Sequence, residues 1–177
     1  MTGSTDSSAV MDTDGRCTVA FPLAKVYEEV HVQSWYQGEV LKRKDADTAI
    51  MQSSEDDTVQ MQNVCAAALN DIVLKLSKRL RDIDWSIGEE VRVVFTPFRR
   101  MPEGDAARVV HIMGKAMMDY MANECMVSWF ETTAAQHPEI AETYRQKSST
   151  LMGKILDSVS MLSEHPVRRR ATNLCGI

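Results

Sequence analysis

Most signatures of a catalytic or metal centre are missing from this chain. It has four cysteines, Cys17, Cys65, Cys125 and Cys175, and no two of them form a C-x-x-C pair. That spacing argues against a zinc ribbon or a thioredoxin-type dithiol. Cys65 and Cys125 sit among apolar neighbours and read as small, buried, reduced hydrophobes of a cytosolic protein. Glycine is scarce at 8 residues, and the only Gly-Lys pairs, Gly114-Lys115 and Gly153-Lys154, have no upstream glycine at phosphate-loop spacing. Both read as helix-packing points. Of the four histidines, only His31 has a glutamate three residues before it, Glu28. A helical di-metal site needs that motif twice, so no metal and no cofactor is expected. No Gly-x-Ser-x-Gly elbow is present, and nothing in the residue spacing points to an enzyme.

Basic charge is also in short supply. Lys and Arg total 20 against 25 Asp and Glu, a net charge of -5, which disfavours wholesale binding to nucleic acid. No apolar run approaches the ~20 residues of a membrane helix, and the polar start, from Met1 to Arg16, lacks the pattern of an export signal. No membrane partner is expected. The chain carries no internal sequence repeat.

What is there is helical periodicity on a 44% hydrophobic background. From Asp105 to Leu162, two long helices meet at the break Gln136-His137-Pro138. The first aligns Val109, Ile112, Met113, Met117, Tyr120, Met121, Val127 and Trp129; the second aligns Ile140, Tyr144, Leu151, Ile155, Val159 and Leu162. Tyr144 and Leu151 are expected to anchor the second. An earlier helix begins at Phe21-Pro22-Leu23 with Val26, Val30, Trp35 and Tyr36 on its apolar side. After a polar loop from Lys42 to Ser54, a long helix over about Glu55 to Arg81 is expected to start at a Ser54/Asp57 capping arrangement. Lys78, Arg79 and Arg81 would suit its negative end. Glu89 to Phe98 is the one convincing strand. It must pair with Asp84-Trp85-Ser86-Ile87 or with another chain, because a lone strand leaves its backbone groups unsatisfied.

The expected fold is mainly α: a bundle of about four helices, with a short β-hairpin or lone strand between the second and third. The domain organisation is a disordered N-terminal arm over 1–16, one helical domain over 17–164, and a basic tail over 165–177.

Three features suggest partners. The tail holds Arg168, Arg169 and Arg170, suited to an acidic surface. The strand holds Val91 and Val93, which a neighbouring chain could complete. The third helix holds Met117, Met118 and Met121, spread over more sides than one partner helix covers.

The order of elements resembles the head–tail connector proteins (adaptor, neck or head-completion) of tailed bacteriophages and prophages. Three passages carry the likeness: V-Q-M-Q-N-V-C-A-A-A-L-N-D-I-V-L-K-L-S-K-R-L from Val59, A-M-M-D-Y-M-A-N-E-C-M-V-S-W from Ala116, and H-P-E-I-A-E-T-Y-R-Q-K-S-S-T-L-M-G-K-I-L-D-S-V from His137. The resemblance implies a virion structural protein of the neck, made in the bacterial host cytoplasm. It implies a homo-oligomeric ring of about 12 subunits, in contact with portal and tail proteins, through which DNA passes without sequence-specific binding. The other reading is a small helical protein-interaction or regulatory module with a Met-rich binding face.

Overall fold

The computed structural model describes residues 8–11, 15–44, 57–97, 103–133 and 138–163. The chain is mainly helical, with a small antiparallel sheet. In chain order the elements are β1 (Ser8–Met11), β2 (Cys17–Pro22), α1 (Leu23–Lys44), α2 (Thr58–Leu76), β3 (Arg81–Ile87), β4 (Glu90–Thr96), α3 (Glu103–Thr133) and α4 (Pro138–Ser163). The strands lie in the order β1-β2-β4-β3, every neighbouring pair antiparallel. The expected pairing of the Glu89 strand with Asp84–Ile87 is present, so the hairpin is made within one chain.

Two expectations about the N-terminus are corrected. Residues 8–11, expected to lie in a disordered arm, form β1 on the edge of the sheet. Phe21 and Pro22, expected to open the first helix, end β2 instead. Strand β2 pairs with β4 from Cys17↔Phe95 to Pro22↔Glu90. Its pattern C-T-V-A-F-P places Cys17, Val19 and Phe21 on one face, directly opposite Phe95, Val93 and Val91; all six are at most 1% exposed. The other face carries Thr18, Arg92 and Val94 and is at least partly open. One covered face and one wet face is the usual state of an antiparallel sheet under a layer of helices.

The two halves of the chain repeat the same order, strand–strand–helix–helix. The central pair β2–β4 is antiparallel, with β1 and β3 flanking it, so the strand order of one half mirrors that of the other within the sheet, while the helices pack differently. The repeat is one of topology; the side chains do not follow it.

Helix α2 is shorter than its periodicity suggests. It runs from Thr58, after Asp57, whose side chain makes no capping hydrogen bond; Ser54 lies outside the described residues. It stops at Leu76, and Arg81, expected in the helix, begins β3. Asp82 follows at φ 49°, a left-handed conformation that Asp tolerates better than most residues. It sits in the irregularity between Arg81 and Asp84 where β3 slips against β4. The α3/α4 hairpin breaks where expected: α3 ends at Thr133 and Pro138 occupies the first helical position of α4. Gln136 and His137 lie outside the described residues.

Candidate functional site

Each of the three expected binding features has a different fate. Val91 and Val93 are 0% exposed, and their strand is paired on both sides. No backbone edge is left on β4 for another chain, which corrects the expectation that a neighbouring subunit completes it. Met117 and Met121 are also 0% exposed, within the chain's own core. Helix α3 is covered by α1, α2, α4 and the sheet. From Tyr120 to Val127 every residue but Glu124 is buried. Its surplus apolar sides are therefore answered inside one chain, and they are not a docking face. Met118 is half-buried at the edge of a groove. Arg168, Arg169 and Arg170 lie outside the described residues.

The groove bordered by Met118 runs between α1, α3 and α4 and has a volume of about 630 Å³. Its walls carry Lys115, Lys147 and Lys154 together with Glu29 and Asp119. Burial pushes the Asp119 carboxyl above its ordinary range. Lys115 opposes that rise, Glu29 adds to it, and Lys154 opposes it again. Lys147 lies over the ring of Tyr144, 4.4 Å from its centre. Asn123, also on the wall, pins the two long helices: its Nδ2 donates to the Tyr144 carbonyl and to Ser148 Oγ at 2.7 Å. Such mixed charge can hold a polar or anionic group. Among the described residues, however, no three metal-ligating side chains cluster, and Glu28, the acid beside His31, faces Lys25 at 3.6 Å.

A second groove, of about 510 Å³, opens between α2 and the edge strand β3. It is mostly apolar, with Leu74 and Trp85 63% and 46% exposed beside Val73, Leu80 and Ile83.

The largest departure from expectation is on α1. Val26, Val30, Ser34 and Leu41 face the core, while Val32, Trp35 and Tyr36 are 59%, 50% and 60% exposed. Trp35 and Tyr36 were expected beside Val26 and Val30. Positions 32, 35 and 36 are separated by three and four residues, so the three side chains share one flank of the helix. An exposed cluster of this kind, rich in Trp and Tyr, has the composition of an interface. The signal was present in the sequence: Val26 and Trp35 are nine residues apart, about two and a half helical turns, and so point to opposite sides.

No family model, no curated protein and no solved structure matches this chain. No described helix is long and apolar enough to cross a membrane.

Proposed function

We propose that this chain is an assembly subunit whose work is done by docking, and that the assembly to test first is the head–tail connector ring of a tailed phage. The observation that carries the docking reading is the α1 stripe of Val32, Trp35 and Tyr36. The chain buries its sheet face and its Met-rich helix almost completely, yet leaves a Trp, a Tyr and a Val together in water on one helix flank. Aromatic side chains lose little conformational entropy on binding and dominate interface energetics. The likeness in element order supports the connector as the specific form. In that form the stripe contacts the neighbouring subunit, other faces meet portal and tail proteins in the virion neck, and the acidic net charge lets DNA slide past.

The competing reading, a protein-interaction or regulatory module, shares the same stripe but not the Met-rich face. One experiment separates them. The full chain is run over a concentration series by light scattering, alone and mixed with portal rings, and imaged by electron microscopy. Rings, or stable portal complexes lost in a Trp35→Ser, Tyr36→Ser variant, are the expected result. A chain that stays monomeric and ignores portal at every concentration overturns the connector.

A further inference from the structure

The sulfurs of Cys65 on α2 and Cys125 on α3 lie 3.5 Å apart, although 60 residues separate them in sequence. Both side chains are buried, at 0% and 3% exposure, and both are free thiols. Cys17, the third described cysteine, sits elsewhere, on β2 opposite Phe95. The core therefore holds one pair of thiols in van der Waals contact, about 1.5 Å beyond the ~2.05 Å length of a disulfide bond. The hydrogen bond with Cys65 and then burial hold the Cys125 thiol in its protonated form, which makes that sulfur a poor nucleophile.

The pair is not sealed. A crevice bordered by Met61, Val64, Ser128 and Trp129 reaches Cys125, with a volume of about 10 Å³, roughly one water molecule by the same measure. Hydrogen peroxide carries one oxygen more than water, so a small shift of the bordering side chains admits it. Glutathione is many times larger and does not fit.

We propose that Cys65 and Cys125 are a latent cross-link, converted from dithiol to cystine by hydrogen peroxide and then shielded by burial from thiol reductants. In the first step one sulfur attacks the peroxide oxygen, the O–O bond breaks, and a sulfenic acid and one water form. In the second step the other sulfur attacks the sulfenic sulfur and the S–O bond breaks. The S–S bond forms, and the departing hydroxyl takes the remaining thiol proton as a second water. The two thiols lose two protons and two electrons in all, and peroxide is reduced to two waters. The product ties α2 covalently to α3. The conversion is slow, because Cys125 is held as the thiol and both sulfurs are buried, and its product persists, because a thiol reductant must reach one of two buried sulfurs in line.

The test uses the full chain carrying Cys17→Ala and Cys175→Ser, which keeps only this pair. Folded, reduced protein is exposed to hydrogen peroxide, quenched with catalase, denatured and alkylated. Mass spectrometry then weighs and maps it. The expected product is a monomer two hydrogens lighter, without alkyl groups, with a cystine joining the Cys65 and Cys125 peptides. Its thermal midpoint rises by roughly 5–15 °C. Glutathione reverses it only after denaturation. Two thiols still open to alkylation, sulfinic or sulfonic acid in place of the cystine, or a bond between chains would each overturn the proposal. The same peptide map on the unmodified chain decides the matter if the variant does not fold.

Discussion

Helices α1 and α3 hold equivalent places in the two strand–strand–helix–helix halves, and they meet opposite environments. Each follows the second strand of its half. Helix α3 runs through the middle of the molecule and is buried nearly all round between Tyr120 and Val127. Helix α1 lies at the side, burying Val26, Val30 and Leu41 and leaving Val32, Trp35 and Tyr36 in water. Equivalent topology therefore does not give equivalent roles. The central helix uses flexible methionines to fill gaps among several neighbours. The lateral one keeps an apolar flank that nothing in the described chain covers.

The sharpest way to break this contrast is to put a charge on each helix. Met117→Asp in α3 places a carboxylate at a site with no exposure, and it is expected to abolish cooperative folding or cost more than about 4 kcal/mol. Circular dichroism under urea reads it. Stability within 1 kcal/mol of the parent would show that α3 is not the buried centre.

The partner helix α4 gives the next largest effect. Tyr144 is 2% exposed and stacks on Phe130 of α3, ring centres 5.8 Å apart. Tyr144→Ala is expected to cost about 3 kcal/mol. Leu151, expected beside it as an equal anchor, is half-buried on the groove wall. Leu151→Ala should therefore cost clearly less, about 1–2 kcal/mol by its smaller buried area. Equal losses in the same denaturant titration would mean that the groove is closed in solution.

A smaller effect tests the tie between α2 and α3. Burial raises the Asp71 carboxyl, but hydrogen bonds from Lys75 Nζ at 2.8 Å and Tyr120 Oη at 2.9 Å outweigh it, and the net shift is downward. A carboxylate held below its ordinary value of about 3.9 stabilises the fold above that pH, and the stabilisation fades as pH falls through the folded value. Asp71→Asn should therefore lower stability at pH 7 by about 1 kcal/mol, kept small because the side chain is 39% exposed. The gap between parent and variant should narrow below pH 4. A gap that is constant down to pH 3 would assign the loss to geometry and not to charge.

How far the sequence reveals this molecule depends on the scale of the signal. Long helical periods located α3 and α4 and the Pro138 break, because apolar spacing over many turns averages out exceptions. The V-R-V-V-F run located β4 and its hairpin partner. Strand β2 was missed because C-T-V-A-F-P is short and runs directly into a helix. Its partner β4 lies 73 residues on, from Cys17 to Glu90, and no local pattern records such a pairing. Strand β1 was missed because S-A-V-M sits in a polar stretch. The binding features were misjudged for the same reason. Val91, Val93, Met117 and Met121 are apolar whether they face a core or a partner, and only the tertiary arrangement decides between the two. Ile112, counted with the buried set, is 51% exposed, the error that a single helical stripe makes at its margin.

The smallest expected effect on stability is the most informative for the contrast between α1 and α3. Trp35→Ser with Tyr36→Ser removes two rings that are half or more in water, so the folded chain loses little packing. The expected change is within about 0.5 kcal/mol, against the collapse expected from Met117→Asp. If the α1 flank is a docking face, this pair of substitutions weakens self-association or portal binding at least tenfold, since buried aromatic anchors carry a large share of interface energy. The two readouts move in opposite senses for the two helices: stability without binding for α3, binding without stability for α1. A double variant that unfolds would place Trp35 and Tyr36 inside a packed surface and erase the distinction. One that folds and still assembles as the parent does would move the docking face to the apolar notch of Leu74 and Trp85.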